Sequence, residues 1–182
     1  MKKSLIKIKL DKVYLIFVRY IILLGLVFSL PLIYKILFPL TLYPVTGLLN
    51  LFYEQVNVSK DFIFIGFGTI IQLIPACIAG SAYLLLLILN LSIPMRLKKR
   101  IYFILLSFVI LLFLNILRIF FLTILYHTGN TFFDITHKLF WYGLSTVFVV
   151  VIWFLMVKVF SIKNIPVYSD IKYFIKTIKK GK

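Results

Sequence analysis

I-Y-F-I-L-L-S-F-V-I-L-L-F-L-N-I-L-R-I-F-F-L-T-I-L-Y, Ile101 to Tyr126, decides the fold. A helix needs roughly 20 apolar residues to cross a hydrocarbon core about 30 Å thick. This run exceeds that and carries a single charge, Arg118. The surrounding chain has the same character: 63% of the 182 residues are hydrophobic, and mean hydropathy is +1.09. No polar stretch is long enough to build and cover a water-soluble core, so the chain reads as one integral membrane domain, residues 1–182.

Working outward, the charges mark the ends of the apolar runs. Five lysines precede residue 13, four basic residues lie within Arg96 to Arg100, and seven lysines follow from Lys158 onward. They supply most of the 21 Lys and Arg behind a net charge of +16. Clusters flanking apolar runs read as cytoplasmic anchors that also attract anionic lipid. Nucleic acid is excluded as a partner, because no polar face interleaves basic and aromatic residues. One cysteine excludes an internal disulfide and any multi-cysteine metal site, and nothing in the pattern calls for a cofactor.

The expected architecture is an all-α membrane protein, a bundle of about four transmembrane helices with an outer-face interfacial segment and a small β-hairpin. The first span is placed at 13–38, with Arg19 near its cytoplasmic end and Pro31 as a kink. It is too long, and lacks the small-residue cleavage pattern, to be a signal peptide. Residues 39–75 are interrupted by Pro44, Gly47, Asn50 and Glu54 and read as an outer-face interfacial or re-entrant segment. Within it, D-F-I-F-I-G-F-G-T-I-I-Q-L-I-P reads as two short strands around a glycine turn. Further spans are expected at 76–94, 101–126 and 136–160, followed by a basic cytoplasmic tail, 161–182. M-R-L-K-K-R joins the second and third spans inside. T-G-N-T-F-F-D-I, Thr128 to Ile135, has no basic residue and joins the third and fourth outside. Both termini are then cytoplasmic.

Polar residues inside such spans are costly and face a partner or a cavity. Cys77 precedes Met95 by 18 residues, Arg118 follows Arg100 by 18, and His137 precedes Lys158 by 21. At 1.5 Å of rise per residue they lie about 27, 27 and 32 Å from the inner face, a single layer near the outer surface. Ser107, Leu111, Asn115 and Arg118 form one stripe by their spacing. Cys77 shares a face with Ser81, and His137 with Trp141.

The three residue types suit acyl chemistry. A thiol in the first turn of a helix faces the positive end of its dipole, and a cysteine with a basic partner is the minimal set for attack on a carbonyl. Histidine, with a reference pKa near 6.5, moves protons in both directions. Arginine is no base, but it holds an oxyanion, carboxylate or phosphate. Structural roles compete at each position. A lone membrane cysteine is commonly an apolar filler, Arg118 has the reach to snorkel to the outer interface, and His137 to cap its helix or meet headgroups. Asn115 fits interhelical glue better than catalysis, and His127 fits an interface residue.

At these residues the chain resembles the exosortase and archaeosortase family of membrane-embedded cysteine transpeptidases. The resemblance covers about residues 62–160. It lies in Cys77 followed by small residues at the start of a helix, N-I-L-R at Asn115 to Arg118, and His137 opening the last helix, and it looks closest to short archaeal forms. The family commonly has Cys, then Ser or Thr, then Gly; here Ile78 and Ala79 intervene before Gly80. The resemblance implies catalytic roles for Cys77, Arg118 and His137, with Asn115, Ser81 and Trp141 supporting them. It implies substrate proteins ending in a recognition motif, a transmembrane helix and a basic tail, and a lipid or other cell-surface acceptor. The implied setting is the outer face of the cytoplasmic membrane. Two other readings stand beside it: a non-catalytic scaffold or assembly subunit, and a lipid-headgroup transferase binding phosphate through Arg118. The second lacks an evident paired-carboxylate or metal cluster.

Overall fold

Pro31, Pro39 and Pro44 all fall within one long helical stretch, Tyr20–Asn50, in a computed structural model that describes residues 14, 17, 18, 20–66, 68–93 and 95–162. A 3-10 turn, Leu26–Ser29, leads into helix α1, Leu30–Asn50, with Pro31 in its first turn. There the missing N–H of proline is one the helix would leave unpaired anyway. The helix then continues through Pro39 and Pro44, as membrane helices do when neighbours re-satisfy the freed backbone groups. Leu37, Thr41, Val45 and Leu49 recur every fourth residue and are buried, whereas Leu32, Ile36, Leu40 and Tyr43 lie exposed on the opposite side. An apolar exterior of this extent suits lipid rather than water. Arg19 and the N-terminal lysines lie outside the described residues.

After α1 come three strands, β1 (Val56–Ser59), β2 (Phe62–Ile65) and β3 (Thr69–Gln72), paired antiparallel in that order. Ile63 and Ile65 point into the protein body. The β2–β3 turn needs a left-handed residue, which Gly66 supplies at φ +58°. A short helix, α2 (Pro75–Ile78), is followed by α3 (Gly80–Ser92), α4 (Leu97–His127), α5 (Phe133–Leu139), a π-helical segment (Phe140–Leu144) and α6 (Ser145–Val159).

This corrects the expected four-helix transmembrane bundle with a hairpin. Among the described residues two helices are long and apolar enough to cross a membrane, Tyr20–Asn50 and Leu97–His127. Two local breaks account for the difference. Ala79 adopts a left-handed conformation that separates α2 from α3 and leaves α3 only 13 residues. The π segment separates α5 from α6 and leaves α6 with 15. At the front, the first helix does not stop at Phe38 but runs to Asn50, so about a third of the expected interfacial segment is helix. The remainder is an open three-stranded sheet rather than a hairpin, because Val56–Ser59 adds a strand. The basic tail from residue 163 lies outside the described residues.

α1, α3, α4 and α6 pack around one core. Lipid tails are as apolar as leucine, so close packing and internal hydrogen bonds hold such helices together. Gly80 illustrates the packing: a Cβ there would run into the ring of Tyr34 on α1. Ser107, Leu111 and Asn115 face inward from α4. At the basic end, Lys99 donates to the carbonyl of Phe160 at 2.5 Å and Arg100 to that of Ile93 at 3.0 Å. Those carbonyls end α6 and α3, where cations complement the negative end of the helix dipole. The start of α4 is thereby fastened to two neighbours, and its far end is left to carry the site.

Candidate active site

Ala79 is an alanine in a backbone conformation that favours glycine, φ +58° and ψ +32°. Its consequence is local. The helical ladder stops there, and the carbonyls of Cys77 and Ile78 turn to side-chain donors from α4. Asn115 Nδ2 donates to Cys77 O at 3.0 Å and to Ile78 O at 3.4 Å. Arg118 Nη2 donates to Cys77 O at 3.1 Å. Asn115 and Arg118 lie one turn apart on α4, so together they grip the short helix that bears the thiol.

Arg118 also reaches the other side. Its Nη1 donates to Ser145 Oγ at 2.8 Å, and Ser145 Oγ donates to Phe140 O at 3.0 Å, across the π segment. The guanidinium carbon lies 5.8 Å from the centre of the Phe140 ring, within cation–π range. Nε of Arg118 is buried with no hydrogen-bond partner among the described residues. One side chain thus joins α2, α4 and the start of α6.

Beside this junction is a cavity of about 660 Å³. Cys77, Arg118 and His137 all line it, as do Ser81 and Trp141. Asn115 does not; it is 4% exposed and sits behind the short helix. The imidazole of His137 stacks on Phe133 at 5.3 Å with the rings 7° apart, and meets Trp141 edge-on at 6.0 Å. His137 lies in the second turn of α5, which starts at Phe133, rather than opening its helix. Cys77 is a half-buried free thiol. Residues 70–74, the end of β3 and the residues leading into α2, line it as well.

His127 stands apart from this cavity. Its Nδ1 shares a 2.8 Å hydrogen bond with Thr69 Oγ1, and Tyr53 packs edge-on at 4.7 Å. It pins the sheet to the end of α4. The sequence reading gives Ser145 and Phe140 no role and names Ala79 only as a small residue before Gly80. Ser145 follows His137 and Trp141 at intervals of four, a signal that was available; the conformation of Ala79 has no sequence signal. Among the described residues, no group of three or more His, Cys, Asp or Glu side chains gathers in a way that could hold a metal ion.

A thiol, a guanidinium and an imidazole thus line one cavity, toward the end of a membrane-length helix away from Arg96–Arg100. The chain belongs to the family described as Transmembrane exosortase (Exosortase_EpsH), whose model matches residues 11–157. No curated protein and no solved structure matches it. It is therefore an exosortase-family membrane protein with several apolar helices.

Proposed function

We propose that this exosortase-family protein is a cysteine peptidase and transpeptidase that cleaves the C-terminal sorting signals of exported proteins and transfers them to a lipid or other cell-surface acceptor. The reading rests on one observation, that Cys77, Arg118 and His137 line the same cavity. Cys77 Sγ attacks the scissile carbonyl, and the thiol proton passes to His137. Arg118 stabilises the oxyanion or orients the substrate, using donors not committed to Cys77 O and Ser145. Collapse of the tetrahedral intermediate breaks the C–N bond, His137 protonates the leaving amine, and a thioester remains. An amine or hydroxyl acceptor then attacks the thioester, giving up its proton and restoring the thiol.

The substrates of this reading carry a motif, a transmembrane helix and a basic tail. The cavity faces the outer surface and both termini lie inside. In support, residues 96–100 stand at one end of α4 and Arg118 eighteen residues further along, a separation of about 27 Å.

A non-catalytic scaffold draws support from the engagement of Arg118 and Asn115 with the Cys77 main chain. Co-expression with a precursor bearing such a tail separates the two readings. A transpeptidase requires Cys77→Ala and Cys77→Ser to abolish the mobility shift of the precursor at normal expression. Processing that survives in both variants sinks the catalytic reading.

A further inference from the structure

Among the described residues β3 is an edge strand, bonded to β2 on one side only. The N–H of Leu73 donates to the carbonyl of Asp61 at 2.8 Å, and Ile63 pairs with Ile71 and Ile65 with Thr69. Hydrogen-bonded and non-hydrogen-bonded pairs alternate along an antiparallel ladder. The main-chain groups of Leu73, Ile71 and Thr69 therefore point to β2, and those of Ile70 and Gln72 point to the open edge.

That edge borders the cavity. A strand that lines a cavity with its face contributes every second residue. Residues 70–74 all contribute in unbroken succession, as a strand does when it presents its edge. The chain then passes through Pro75 to Cys77 at the cavity wall. Unpaired edge groups beside an apolar cavity call for hydrogen-bond partners, and native proteins cover such edges.

We infer that β3 is the substrate-docking strand: the sorting-signal segment of the precursor binds in extended form against Ile70 and Gln72, adding a fourth strand that carries the scissile carbonyl to Cys77. The inference rests on the transpeptidase reading above. Main-chain pairing of this kind gives affinity largely independent of side chains, leaving alternate residues to be read by pockets. The occupant is a polypeptide because the donors and acceptors offered are those of a strand, and because the strand leads directly to the nucleophile.

Proline at position 70 removes the outward N–H without removing a bond to β2, a substitution edge strands tolerate. In membranes holding the full chain and a co-expressed precursor with a C-terminal helix and basic tail, Ile70→Pro should process the precursor about five- to tenfold more slowly than Ile70→Ala, the effect of one lost hydrogen bond. Equal rates overturn the strand inference while leaving the cysteine chemistry intact. If the wild type does not process the precursor, or Cys77→Ala does, the transpeptidase reading falls and the inference with it.

A second measurement covers misfolding of the proline variant. With Ile70→Cys in a Cys77→Ala background, single cysteines are scanned through the precursor segment. Disulfide formation with a period of two supports the added strand. A helical period, or no cross-linking in a precursor that the wild type processes, overturns it in favour of a helix or a lipid chain along that edge.

Discussion

Arg118 holds the main-chain carbonyl of Cys77, with Nη2 3.1 Å from the oxygen, and at the same time the hydroxyl of Ser145 at 2.8 Å. Two donors of one planar fork thus fix the distance between the short helix that bears the thiol and the helix that follows His137. A lysine presents one ammonium and cannot span both acceptors in this geometry.

Arg118→Lys should therefore lose most activity although the charge is conserved. Loss of charge-assisted hydrogen bonds costs about 1.5–3 kcal/mol each in a buried setting. Precursor conversion should fall by roughly a hundredfold, counting about tenfold per 1.4 kcal/mol, and the detergent-solubilised protein should melt earlier. Conversion equal to wild type assigns the guanidinium to neither the site nor its support.

Asn115 touches the Cys77 backbone and does not line the cavity. Asn115→Leu leaves the carbonyls of Cys77 and Ile78 short of a donor, an expected loss of about 1–3 kcal/mol. Asn115→Asp is worse, because an ionised carboxylate offers only acceptors to two carbonyl oxygens. Thermal unfolding measures the stability, and the rate of Cys77 alkylation reports the positioning of the thiol. A catalytic role would instead leave stability and alkylation unchanged while activity disappears.

The two histidines should separate cleanly. His137 lines the cavity, and His137→Ala removes the proposed proton carrier, a loss on the order of 10²- to 10⁴-fold in precursor conversion. His127 ties Thr69 and Tyr53 to the end of α4, so His127→Ala loosens the sheet and should lower conversion only in part. Equal effects of the two substitutions, at equal expression, contradict this division.

The long helix α4 was legible because its apolar run is uninterrupted and its polar residues keep helical spacing. Ser107, Leu111 and Asn115 face inward for that reason. The other helices were misjudged where local conformation overrides hydropathy. Pro44 and Gly47 read as interruptions, yet α1 continues through both, and the left-handed turn that divides α2 from α3 falls on Ala79 rather than on the neighbouring Gly80. Val56–Ser59 alternates apolar and polar residues, but over only four positions, too short a run to stand out as a strand beside the Phe- and Ile-rich segment that follows. Cys77, Arg118 and His137 could be singled out because ionisable or nucleophilic groups are rare in an apolar chain. Ser145 is common and polar; its spacing of four from Trp141 places it on the face of His137, and the hydrogen bond from Arg118 gives that position its meaning.

The turn after Cys77 offers the sharpest stability test. Ala79 sits at φ +58°, where a Cβ costs roughly 1–2 kcal/mol relative to glycine, partly offset by the greater freedom of glycine in the unfolded chain. Ala79→Gly should therefore raise the melting temperature, with a net gain of about 0.5–1 kcal/mol. Gly80, next in sequence, has the opposite requirement. Any Cβ there collides with the Tyr34 ring, so Gly80→Ala should destabilise by about 1–3 kcal/mol. Adding Tyr34→Ala should recover part of that loss, because the second substitution removes the atoms in conflict. Thermal unfolding of the two single variants and the double variant measures the coupling. Strict additivity means that Gly80 and Tyr34 are not in contact, and that the approach of α1 to the start of α3 is looser than described.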